Sequence, residues 1–144
     1  MILINPDRTE LLIESLTGLW KASVQASHYF LTAADVHRLV PFVKTGIRRV
    51  NTLLVFYAGD KPVGFMGIAS GKIEMLFVAP ACFGKGIGKQ LVTLAIEQYN
   101  VRYVDVNEQN PQAAGFYCRM GFSVFERCKW DEQGNPFPIL KMKR

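Results

Sequence analysis

Three glycines at alternate positions, Gly84, Gly86 and Gly88, stand where an apolar run ending at Pro80 gives way to a helical pattern. The first N–H groups of a helix have no partners within it and carry the positive end of its dipole. A loop of this kind is therefore an anion site, and glycine lets a phosphate approach the main chain. Lys85 and Lys89 add positive charge beside it. The plainer reading is a glycine-rich turn that starts a helix. Two other phosphate motifs are excluded. A P-loop requires Lys-Ser or Lys-Thr after its last glycine, and Lys89 is followed by Gln90. The dinucleotide fingerprint needs a third glycine where Lys89 stands, and it opens a βαβ unit, whereas this loop follows an antiparallel meander. Groups able to move protons stand elsewhere in the chain: the carboxylate of Glu74 on the strand before the loop, Asp105 and the phenol of Tyr117 after it, and the imidazole of His28 far upstream. Each also has a plainer role, as a paired strand carboxylate, a ring packed beside Phe116 or a hydrogen-bonded structural histidine. Cys118 has no histidine near it in sequence and is expected to be a buried helix residue, not a nucleophile.

The elements that must position these groups are legible from period and punctuation. Met1–Ile4 reads as a short strand ended by Asn5-Pro6. Asp7 with Glu10 resembles a capping box opening an amphipathic helix, with Leu11, Leu12, Ser15, Leu16, Leu19 and Trp20 on or near one stripe. Thr32 with Asp35 suggests a second cap before a helical stretch through Val36, Leu39, Val40 and Val43, in which Pro41 is a candidate kink. The period then changes. Leu53–Ala58, Pro62–Ala69 and Lys72–Val78 read as three strands joined by the turns Gly59-Asp60-Lys61 and Ser70-Gly71. After the glycine loop, Ile87, Leu91, Leu94, Ala95 and Ile96 mark a helix, and Val101–Val106 a strand. Asn110 caps a further helix with Pro111 at its first position and Gly121 just past its end. Phe122–Lys129 and Phe137–Lys143 are two last strands. The fold class is α/β, a mixed sheet with helices on its faces.

The segment NEQNPQAAGFYCRMGF (107–122), together with LFVAP (76–80) and the glycine loop, resembles the GNAT superfamily of acyl-CoA-dependent N-acetyltransferases. The stretches ASHYFL (26–31), PVGFM (62–66) and GNPFP (134–138) extend the likeness to small bacterial members and to nearly the whole chain. The resemblance implies a central, mostly antiparallel sheet flanked by helices, and one N-acetyltransferase domain over residues 1–144. It implies acetyl-CoA as cosubstrate. Leu76, Phe77 and Val78 would pair with the pantetheine arm, Gly84, Lys85, Gly86, Ile87, Gly88 and Lys89 would hold the pyrophosphate, and Asn110 would contact the cofactor arm. Tyr117 would protonate the departing thiolate. Asp105 stands where some relatives carry a glutamate base, and Glu74 is its rival. His28 and Phe30 would border the acceptor pocket, with Trp130 and Phe137 as further wall. Phe83 departs from the pattern, because the family usually has Arg or Gln there.

Composition bounds the alternatives. With 144 residues, 49% apolar and 20% charged, the chain suits one domain with a real core. No apolar run is long enough for a membrane helix and the start lacks a secretory pattern. Three cysteines without a C-x-x-C pair argue against a disulfide framework and for a reducing cytoplasm. No metal is expected, since His28 and His37 lack ligand spacing. The net charge of +5 is spread along the chain and too dilute to imply nucleic acid. The expected partners are acetyl-CoA and an amine acceptor, with no nucleic acid or membrane, in a monomer or homodimer. The alternatives are a non-catalytic CoA-binding module or sensor of the same fold, and a small nucleic-acid-binding domain.

Overall fold

The computed structural model describes residues 1–27 and 30–144. His28 lies outside the described residues. In chain order the elements are β1 (Ile2–Ile4), α1 (Glu10–Ser27), α2 (Ala33–Arg49), β2 (Thr52–Ala58), β3 (Lys61–Ala69), β4 (Lys72–Val78), a 3-10 turn (Pro80–Cys82), α3 (Ile87–Tyr99), β5 (Tyr103–Asn107), α4 (Pro111–Arg119), β6 (Ser123–Cys128) and β7 (Ile139–Lys143). Among the described residues the strands form one mixed sheet in the order β1-β2-β3-β4-β5-β7-β6. Its pairings are antiparallel except for β4 with β5.

The apolar run Leu53–Leu54–Val55 explains why β2 lies inside the sheet, between β1 and β3, covered on both faces. Leu54 faces a core shared with α3 and α4, whereas Leu53 and Val55 face a core shared with α1 and α2. A strand covered on both faces is apolar at every position instead of alternating. Phe65 and Met66 of β3 divide between the two cores in the same way. All five are fully buried, each stabilising the fold by roughly 1.5–3 kcal/mol over an exposed side chain.

The caps agree with the sequence in two helices and differ in one. Thr32 accepts from the Asp35 N–H at 3.1 Å while Asp35 accepts from the Thr32 N–H at 3.0 Å, a complete capping box. Helix α2 runs unbroken through Pro41. Asn110 accepts from the Ala113 N–H at 3.3 Å, with Pro111 first in α4. At α1 the cap is Thr9, not Asp7. Thr9 Oγ1 accepts from Leu12 N–H at 3.1 Å and its carbonyl from Ile13 N–H at 3.0 Å, so Glu10 is the first helical residue. The helix then turns Leu12, Ile13, Leu16 and Trp20 inward and leaves Leu11 80% exposed, which corrects the expected stripe. Cys118 is likewise exposed on α4, not buried. The neighbouring Tyr117 takes the inward position instead.

Candidate active site

The parallel pairing of β4 with β5 has two rungs, Lys72 with Tyr103 and Ile73 with Val104, and then stops. Beyond Ile73 the strands part. Leu76, Phe77 and Val78 pair with β3 on one side and, among the described residues, with no strand on the other. The parting coincides with a bulge. Ile73 pairs with Ile68 and Met75 with Gly67, which leaves Glu74 as an extra residue without a partner on β3. Ile73 and Leu76 consequently pack toward the same α3/α4 core although they stand an odd number of positions, three, apart. Strict alternation forbids this and a bulge permits it.

The open edge of β4 leads into the glycine loop. Gly84 and Gly86 adopt φ of +75° and +81°, and Gly86 is the N-cap of α3. No side chain caps that helix and no acidic residue lies in its first turn, so the first amides and the dipole remain free for an anion. Lys85 and Lys89 are exposed beside them. The buried side chain of Ile87 anchors the turn against β3. Gly64 makes this approach possible, since a Cβ there would stand 2.9 Å from the Ile87 Cγ2. Phe83 is 44% exposed at the head of the loop.

Tyr117 is reached from this loop through Phe116. The Phe116 ring lies 3.5 Å from where a Cβ on Gly88 would be, and its centroid is 5.0 Å from that of Tyr117. Phe122 closes the other side of Tyr117 at 5.7 Å. Tyr117 is 6% exposed, and burial raises its phenol above the ordinary tyrosine value. It therefore stays protonated throughout the neutral range, as a proton donor must.

On the other face, residues of β4, β5 and β7 and of the segment between β6 and β7 line a cleft of about 430 Å³. Val104 and Val106 point to the α3/α4 core, so Asp105 between them points to this cleft, with Lys72, Glu74, Glu132 and Trp130. A second cavity of about 540 Å³, walled by Trp20, Phe42, Met75 and Phe77, meets the first at Glu74, Glu132 and Gln133. Phe30 and Phe137 pack with ring centroids 5.6 Å apart, joining the segment before α2 to the one before β7.

The two candidate carboxylates differ. Asp105 accepts a hydrogen bond from Lys72 Nζ at 2.7 Å. Glu74 has no hydrogen bond or ion pair among the described residues. Burial raises its carboxyl above the usual range, opposed by Lys72 and reinforced by Glu132 and Asp105. Lys72 and Glu132 escaped the reading of the sequence. A charged pair at alternate positions of an otherwise apolar strand, Lys72 and Glu74, was the signal available for Lys72.

The chain matches the family model described as an acetyltransferase (GNAT) domain over residues 49–124. It is 38% identical over 129 residues to the peptidyl-lysine N-acetyltransferase YjaB of Salmonella typhimurium, covering 90% of this chain and 89% of that one. The solution structure of apo-form YjaB from Escherichia coli superposes with a TM-score of 0.87 at 35% identity, covering 99% of this chain and 97% of that one. The fold also resembles the PaiA N-acetyltransferase of Thermoplasma acidophilum, solved with coenzyme A, with a TM-score of 0.73 at 19% identity over 100% and 99% of the two chains.

Proposed function

Since this chain belongs to the GNAT acetyltransferases, and is an N-acetyltransferase that moves an acetyl group to an amine, we propose that its acceptor is a lysine side chain of a protein and that residues 1–144 act as one catalytic domain in the cytoplasm. The observation that carries this reading is the gap between β4 and β5, with the glycine loop at one end and Glu74 beside it. The relatives named as peptidyl-lysine N-acetyltransferases favour lysine. The acid-lined cleft suits a cation.

Acetyl-CoA, when bound, supplies an activated thioester. The chain's own groups do the rest. The unpaired main chain of Leu76–Val78 holds the pantetheine arm, the free amides of residues 84–89 hold the pyrophosphate, and Asn110 meets the arm at the start of α4. The main-chain N–H groups of β4 past the bulge polarise the thioester carbonyl. Glu74 takes a proton from the lysine ammonium, because among the described residues it makes no hydrogen bond or ion pair, while Asp105 is engaged by Lys72. The amine nitrogen bonds to the acetyl carbon as the carbon–sulfur bond breaks, Tyr117 gives its proton to the leaving sulfur, and the second proton shed by the nitrogen passes to solvent, from which the phenol is restored. Transfer is direct. Cys118 is exposed on α4, has no histidine near it in sequence, and offers no activated nucleophile. His28 and Phe30 are proposed to border the acceptor.

Thiol release from acetyl-CoA tests this with a lysine peptide set against a polyamine, an aminoglycoside and free amino acids. The peptide is expected to give the highest kcat/KM. A higher value for any of the small amines would reject the protein acceptor. Phe83, in place of the usual Arg or Gln, favours the second reading of a CoA-binding sensor. Coenzyme binding with no thiol release for any amine is the result that reading requires.

A further inference from the structure

Lys72 opens β4 and occupies one of the two rungs that join this strand to β5. Its ammonium reaches Asp105 of β5, two residues beyond its main-chain partner Tyr103, with an Nζ–Oδ2 distance of 2.7 Å. Both side chains are mostly buried, at 26% and 23% exposed. The pair therefore sits at the fork, where the main-chain ladder ends and the strands begin to part. The next residue but one is Glu74, the bulged position that lines the same cleft.

The charges around Glu74 come from several elements. Lys72 shares its strand, Asp105 comes from β5, and Glu132 from the segment between β6 and β7 lies 4.0 Å from Lys72. Asp131, Lys141 and the thiol of Cys128 complete the ionisable wall of the cleft, and Arg49 of α2 lines the second cavity. Lys141 is drawn 3.5 Å from Glu126, toward β6. Without Lys72, Glu74 would face Asp105 and Glu132 with no cation fixed among them, and like charges at such range disfavour ionisation.

We propose that Lys72 is a positioning residue for acetyl transfer: clasped by Asp105 where β4 and β5 separate, it sets a positive charge against the Glu74 carboxylate. The proposal rests on the reading of Glu74 as the base. The directions of ionisation agree with it. Burial of Lys72 works against its charge, and the hydrogen bond and charge of Asp105, with the charges of Glu74 and Glu132, together outweigh this and hold its ammonium above the ordinary value. At Glu74, burial favours the neutral acid and Lys72 opposes it. Glu74 must be ionised to accept a proton, so activity falls on the acid side as it protonates. Removing the Lys72 charge moves that fall to higher pH.

The test is the pH dependence of kcat/KM for wild type, Lys72→Met, Lys72→Arg and Glu74→Gln, with coenzyme affinity and melting temperature measured alongside. Lys72→Met is expected to shift the acid limb upward, leaving kcat/KM about tenfold low on the acid side and near wild type at the alkaline end. Lys72→Arg is expected to restore the limb. If Lys72→Met melts too low to assay, Lys72→Gln, which keeps a hydrogen bond to Asp105 without the charge, is expected to show the same shift. An acid limb that stays in place in the uncharged variants, whether or not activity drops uniformly, overturns the proposal while Glu74→Gln still abolishes the limb. A limb that persists in Glu74→Gln overturns the base assignment, and the role of Lys72 with it.

Discussion

The two sides of the fork between β4 and β5 are built from different materials. On the α3/α4 side the proposed contacts are main-chain groups: the unpaired edge of Leu76–Val78 and the uncapped amides after Gly86. On the α1/α2 side they are side chains from distant elements, with Lys72, Asp105, Glu132 and Trp130 brought together by strand order. A main-chain site recognises what every acetyl-CoA shares and tolerates side-chain drift. A side-chain site can change its acceptor by a few substitutions. The difference separates a coenzyme site common to a fold from an acceptor site particular to one chain.

The sharpest way to break this contrast is Tyr117→Phe. The proposed donor is a side chain embedded in the main-chain side, so turnover is expected to fall about a hundredfold with coenzyme affinity unchanged by calorimetry. Unchanged kcat would remove Tyr117 from the reaction. Next comes the main chain itself. Gly86→Ala places a Cβ on a residue at φ +81°, which costs about 1–2 kcal/mol in the left-handed region. Coenzyme affinity is then expected to weaken roughly tenfold while the cleft at Glu132 is untouched. Glu132→Gln probes the side-chain half. KM for a lysine peptide is expected to rise about threefold, with coenzyme affinity constant and the effect shrinking in high salt. The smallest change sharpens the first half: Phe83→Arg adds a charged donor at the loop and is expected to tighten coenzyme binding about threefold. Unchanged or weaker binding would show that the free amides already suffice.

The same contrast explains what the sequence disclosed. Alternating glycines before a helical period, and Asn-Pro opening α4, carry local backbone geometry in their residue types, so the loop, its helix and the caps at Thr32 and Asn110 were legible. The Asp7 cap failed because Thr9 and Asp7 are both competent, and the register of α1 is decided by burying Trp20 and Leu16, a tertiary matter. Cys118 faces outward and Tyr117 inward, and a helix of 9 residues carries too little period in its sequence to decide which of the two neighbours meets the core. The ion pair of Lys72 with Asp105 joins positions separated by a helix, and its partner was invisible until β5 was set beside β4. Glu74 was legible as a candidate. Its freedom from partners was not, because that depends on which of two nearby carboxylates the lysine takes.

The central claim, that the coenzyme is held by main chain on one side of the fork, is tested most directly by amide chemical shifts on titrating coenzyme A into the labelled protein. The largest movements are expected at the amides of Leu76–Val78 and of residues 84–89, with the Trp130 indole and the amides around Glu132 nearly still. Movements concentrated instead at Glu132 and Trp130, or no movement at millimolar coenzyme, would contradict the account.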